Sequence, residues 1–330
     1  MLRLLALLGR HGTSFLAGGL FIGLLLPPLA ALVRPALEPM IFFLTTASLL
    51  SIDWPALAAH ARRPALLALV LVWLLGAVPV VTALACRLIG LPAGLTQGLV
   101  LWAAAPPLIS VAAIALLLGL DGALALLLMV AATFIMPFTL PPLVLGLIGL
   151  KLGIGILPLM RNLVLFIGGA VAVTAILRRV IGVARLKRHA LELSGLNVLI
   201  LLLFAIGIMD GVQRLILEKP QQVLLYAAAA LTASLLLQAL SFAAFSFLPR
   251  IPALTIGLVG GNNNLAVVWA SLGAAATPQL TLFFATVQLP IYVLPAALKP
   301  IYRRLGAGRP HGAGERQSPS PPLRAEKDLG

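Results

Sequence analysis

Continuity is the dominant pattern in this chain. Apolar residues run for about twenty positions at a time. The short stretches between the runs carry most of the Lys and Arg. Strands of a membrane barrel would alternate apolar and polar positions, and no such alternation is present. Runs of this length predict α-helices that cross a bilayer. We place ten, at 14–33, 35–52, 64–86, 95–118, 121–146, 155–180, 195–217, 221–248, 253–275 and 277–300. Links such as Gly119-Leu120-Asp121 and Thr277-Pro278 force antiparallel neighbours. After Ile301 the pattern stops. Residues 306–330 are rich in Gly, Pro, Ser and charge, which predicts a disordered tail after a transmembrane domain at 1–305.

Composition supports the membrane reading. Of 330 residues 61% are hydrophobic and 10% charged, with a mean hydropathy of +1.11. A soluble domain carries roughly 25% charged residues. The net charge of +14 raises the question of nucleic acid, but no basic patch is interleaved with aromatics, so no nucleic-acid partner is expected. The charge reports topology instead. With sides numbered alternately, 17 of the 23 basic residues fall on the N-terminal side. They include Arg3, Arg10, Arg62, Arg63, Arg178, Arg179, Arg250, Arg303 and Arg304. That asymmetry predicts a multi-pass protein of the cell (inner) membrane with both termini cytoplasmic. The N-terminal run resembles a signal peptide but continues through Leu26-Pro27-Pro28 without a small-residue cleavage site, so it is read as a retained first span. One cysteine, Cys86, excludes an internal disulfide. The histidines His11, His60, His189 and His311 have no ligand spacing, so neither metal nor cofactor is expected.

The spans contain a weak internal repeat. Ala132-Thr133 precedes Pro137 as Ala285-Thr286 precedes Pro290, at an offset of 153. Gly18-Gly19 and Gly168-Gly169 match at 150, and Asp53 and Asp210 end spans two and seven. Five spans per copy, 14–146 and 155–300, make the second copy enter the membrane inverted. Inverted repeats are the architecture of many secondary transporters.

The repeat singles out spans four and nine. Span four carries Ala105-Pro106-Pro107, which removes two amide donors. The offset of 153 carries Pro106 to Val259, within Gly257-Leu258-Val259-Gly260-Gly261-Asn262-Asn263-Asn264. Glycines and asparagines are poor helix formers. Paired interruptions of this kind point to a transporter binding site. Broken helices leave backbone groups that must face protein, water or a ligand. A half-helix N-terminus favours an anion. The candidate substrate- or ion-binding residues are Pro106, Pro107, Ser110, Thr133, Gly257, Gly260, Gly261, Asn262, Asn263, Asn264, Thr286 and Gln288, with Gln97 on a surrounding span. Bland alternatives stand beside these: proline kinks, glycines for close helix packing, and threonines bonded back to their own helices.

With these features in place, the chain resembles the bile acid:sodium symporter family of the bile/arsenite/riboflavin transporter superfamily. The resemblance covers roughly residues 14–300. It is carried by Pro106 through Leu120-Asp121-Gly122-Ala123-Leu124 to Pro137, and by Thr255-Ile256 through Asn262 to Ala270. It implies a panel domain and a core domain, with interrupted helices four and nine crossing near the midplane. It also implies a sodium site that this sequence departs from. At the family's ninth-helix glutamate and glutamine stand Gly257 and Gly261, and only Asn262 keeps its type. The family's fourth-helix Ser-Asn pair falls on Val111-Ala112, and polar fifth-helix positions fall on Ala125 and Met129. Ala105 stands where the arsenite branch has a cysteine, which argues against arsenite.

The expected function is a secondary carrier for a small organic solute, an organic anion favoured, with sodium coupling doubtful. Its partners are that solute, the bilayer and an undetermined coupling ion, sodium or proton. Proton coupling needs a titratable group in the membrane, and the candidates Asp53, Asp210, Glu38 and Asp121 lie near span ends. The alternative is a transport-inactive sensor or assembly protein on the same scaffold. A membrane enzyme is not expected, since no catalytic cluster is visible.

Overall fold

The computed structural model describes residues 12–60 and 64–306. The predicted tail beyond 306 and the basic residues Arg3, Arg10, Arg62 and Arg63 lie outside the described residues. Among those described, the chain is helical throughout and has no strand. Seven helices are long and apolar enough to cross a membrane. The chain is an all-α, multi-pass type of molecule.

The order is α1 (Gly12–Leu25), α2 (Pro27–Ser51), α3 (Trp54–His60) and α4 (Pro64–Ile89). Two short helices follow, α5 (Ala93–Ala104) and α6 (Val111–Leu117), then α7 (Gly122–Leu147) and α8 (Ile156–Ile181). After the short α9 (Val183–Arg188) come α10 (Ala190–Gly207), α11 (Val212–Glu218) and α12 (Pro220–Ala244). The chain ends in α13 (Arg250–Gly260), α14 (Leu265–Leu272), α15 (Pro278–Thr286) and α16 (Gln288–Gly306).

The boundary expected after Val33 is displaced. The chain turns at Leu26 instead, and Pro27-Pro28 starts α2, where missing amides cost nothing. One 3-10 turn at Arg34–Ala36 takes up Pro35, so α2 continues to Ser51. Span seven is also interrupted, at 208–211, where Gly211 adopts φ 77°. There Asp210 forms an ion pair with Arg34 of α2 at 2.7 Å. The last helix runs to Gly306, six residues beyond the predicted end at 300.

Buried apolar residues form two clusters. One contains Leu99, Trp102, Leu140, Leu265 and Phe283, and the other Val111, Leu128, Leu254, Ile256 and Val259. Thus α5 and α14 belong to the first cluster, and α6 and α13 to the second. The two interruptions lie where the clusters meet.

Close helix contact explains several glycines. A Cβ on Gly19 would sit 2.8 Å from Leu202 Cδ1 of α10. One on Gly257 would sit 2.9 Å from Phe242 Cβ of α12, and one on Gly260 would overlap Ser241 Oγ. Gly168 faces open space. Gly260→Ala is therefore expected to cost about 1–3 kcal/mol by overpacking. Gly168→Ala is expected to be neutral or slightly stabilising. Thermal unfolding of the two variants in detergent checks the contrast.

Candidate functional site

The two breaks clasp each other. Ala105 leaves the helical region at the end of α5, and Pro106-Pro107 carry no amide protons to continue it. Opposite, Gly261-Asn262-Asn263-Asn264 separates α13 from α14. Pro107 and Asn263 pair as an isolated antiparallel bridge. The Leu108 amide donates to the Asn262 carbonyl at 2.8 Å, and the Asn264 amide donates to the Pro106 carbonyl at 2.7 Å. This register uses the amides and carbonyls on either side of Pro107, so the missing N–H of Pro107 costs nothing.

Side chains complete the satisfaction of the opened backbone. Trp102 Nε1 donates to the Asn263 carbonyl at 2.9 Å. Ser234 Oγ of α12 donates to the Gly261 carbonyl at 2.6 Å. Gln238 Nε2 donates to Ser234 Oγ at 3.2 Å, and the Tyr302 hydroxyl donates to Gln238 Oε1 at 2.8 Å. Asn262, 2% exposed, donates through Nδ2 to the Leu258 carbonyl at 2.8 Å. Asn264 caps α14, its Oδ1 accepting from the Ala266 amide at 3.1 Å. Asn263 is 3% exposed, and its Nδ2 is buried without a partner among the described residues.

A cavity of about 320 Å³ lies against the crossing. The last residues of the first break, Ile109 and Ser110, line it, as do Asn264, Leu265 and Ala266 at the start of α14. The wall is mostly apolar, with Ile41, Leu44, Leu201, Phe204, Phe284 and Ile291 contributing. The remaining polar groups are Thr45, Ser48, Ser51, Asn197 and Gln288. No charged side chain lines it. A largely apolar wall with few convergent polar groups is the usual form of a small-molecule site, and the volume is at the lower end for one.

The twelve expected residues therefore divide. Ser110, Asn264 and Gln288 line the cavity. Pro106, Pro107, Asn262 and Asn263 build the crossing behind it. Gly257 and Gly260 belong to helix α13, and with Gly261 they let α12 approach. Thr133 and Thr286 face their own helices, donating to the carbonyls of Met129 at 2.7 Å and Phe283 at 3.0 Å. Gln97 bonds the Lys151 carbonyl and does not reach the break. Thr45, Ser48, Ser51 and Asn197 were not anticipated. The first three recur at intervals of three along one face of α2, a polar stripe that sequence can reveal.

None of the four carboxylates considered for proton coupling lines this cavity. Asp121 caps α7 by accepting from the Leu124 amide, Asp210 pairs with Arg34, and Glu38 is exposed. Asp53 lines a second cavity of about 290 Å³, which shares Ser51 and Asn197 with the first.

The chain matches no protein-family model, and no curated protein matches it.

Removing the indole donor tests the crossing. Trp102→Phe leaves the Asn263 carbonyl buried without that bond and is expected to lower stability by about 1–3 kcal/mol. Helix content by circular dichroism is expected to stay unchanged below the transition.

Proposed function

We propose that this chain is a secondary carrier that moves a small amphipathic organic solute, an organic anion ahead of others, across the cytoplasmic membrane by alternating access. The supporting observation is the cavity at the crossing of two interrupted helices. Its lining combines an apolar wall with Ser110, Asn264 and Gln288. The first turn of α14 adds amide dipoles that favour negative charge. In this reading the ten predicted segments form two inverted halves, as in the bile acid:sodium symporter family that the sequence resembles. Panel and core helices move past one another, and both termini are cytoplasmic.

The same geometry bears on coupling. Sodium needs several oxygen ligands and a compensating negative charge. The carbonyls of Pro106, Gly261, Asn262 and Asn263 each accept from a protein donor. A side chain at Gly261 would collide with Gln238 Cγ, and one at Gly257 would press on Phe242. The cavity has no carboxylate to bind a cation or carry a proton. These features support flux down the solute's own gradient.

Uptake into proteoliposomes against a panel of amphipathic acids, amides and alcohols tests the reading. Saturable uptake is expected for at least one acid, changing less than about twofold when choline replaces sodium. Ser110→Trp, which fills the cavity, is expected to abolish that uptake while the protein remains monodisperse. Binding without flux would replace the carrier by a transport-inactive sensor on the same scaffold. Sodium-dependent uptake would refute the coupling argument.

A further inference from the structure

The second cavity holds a feature that the crossing does not explain. It lies beside the end of α2 and is lined by Leu50, Ile52, Asp53, Arg178 and Leu186. It shares the lining residues Ser51 and Asn197 with the first cavity. Arg178 of α8 is the cationic side chain among its lining residues. Its Nη2 donates to the Leu50 carbonyl at 3.0 Å and also to the Ile52 carbonyl. Both carbonyls belong to the end of α2, so part of the role of Arg178 is to close that helix.

That role leaves donor capacity unused. Arg178 Nε is buried and has no partner among the described residues. A guanidinium offers five N–H groups in a fixed fork that matches a carboxylate or sulfonate. Asn197, which lines both cavities, has its Oδ1 likewise buried without a partner among the described residues. Buried unpaired groups in a native fold call for a water, an ion or a ligand. Two of them on residues that line this cavity, one cationic and one an acceptor, fit an anion that also carries a hydrogen-bond donor. Asp53 also lines the cavity and has interactions of its own.

We propose that this second cavity is an anion-binding antechamber centred on Arg178, which collects the acid group of an organic anion at the Ser51–Asn197 neck before its apolar body enters the crossing cavity. The proposal rests on the carrier reading for the identity of its ligand. It does not rest on that reading for its test.

The test uses thiol chemistry at the neck. Ser51 is exposed and lies between the two residues whose carbonyls Arg178 holds. Ser51→Cys, in a full-length background carrying Cys86→Ser, is reacted with a negatively charged methanethiosulfonate (sulfonatoethyl) and a positively charged one (trimethylammonioethyl). The thiolate attacks the reagent sulfur, forms a mixed disulfide and expels methanesulfinate. Each rate is divided by the rate of the same reagent with free 2-mercaptoethanol. The normalised ratio is expected to favour the anionic reagent. Arg178→Gln is expected to lower it about tenfold, the scale of one charge removed near a partly buried site, and Arg178→Lys to retain most of it. Raising the ionic strength on the unaltered Arg178 is expected to lower the ratio by screening. That arm needs no substitution at Arg178 and stands if the Gln variant fails to fold. A ratio unmoved by both salt and Arg178→Gln overturns the proposal, as does a cysteine inert to both reagents. Solute uptake with an unmoved ratio refutes the antechamber alone. The expected ratio without uptake of any solute refutes the carrier alone.

Discussion

The crossing depends on one constraint: a helix opened away from water must find new partners for its backbone. Each unsatisfied group there costs several kcal/mol. Two breaks occur, and the solution is reciprocal. The Leu108 amide serves the Asn262 carbonyl, and the Asn264 amide serves the Pro106 carbonyl. Neither break would be tolerated alone in so buried a place. Trp102, Ser234 and, behind it, Gln238 and Tyr302 extend the same satisfaction outward.

Much of the crossing was legible in the sequence, because its causes are local. Pro106-Pro107 lacks donors, and Gly261 through Asn264 lacks helix propensity. No packing arrangement restores either. The uses of the individual residues were less legible. Gly257 and Gly260 look like part of a break, yet they stay helical because α12 fills the space beside them. Thr133 and Thr286 look like ligands, yet their hydroxyls turn back to their own helices. The cavity stripe was visible as a spacing, but its use was obscured by the same behaviour. Thr45 bonds the Ile41 carbonyl, and Ser51 bonds those of Ala47 and Ser48, while both still line the cavity. A hydroxyl on a membrane helix reads alike in both settings until the neighbouring helices are placed.

The boundary of the second helix failed for a different reason. Arg34-Pro35 has the look of a loop between two spans. The 3-10 turn absorbs the proline, and Arg34 finds Asp210 on α11's approach, so the charge is carried by a partner rather than by a loop. Neutrality of the crossing cavity follows a similar division. The charges of Arg34, Asp210 and Asp121 are spent at helix ends and on one another. Among the described residues, the polar side chains lining the interior cavity are hydroxyls and amides.

The reciprocal bonds also have a mechanical consequence. They fasten α5, α6, α13 and α14 at one point, with two arms in each apolar cluster. If the bonds hold, a tilt of one pair of arms would carry the other with it. The 11 residues of α13 make an arm of about 17 Å. A tilt of about 10° at the crossing would then swing its far end by about 3 Å, roughly the width of a water molecule. A small rotation at the fulcrum would thus be a displacement of molecular size at the ends.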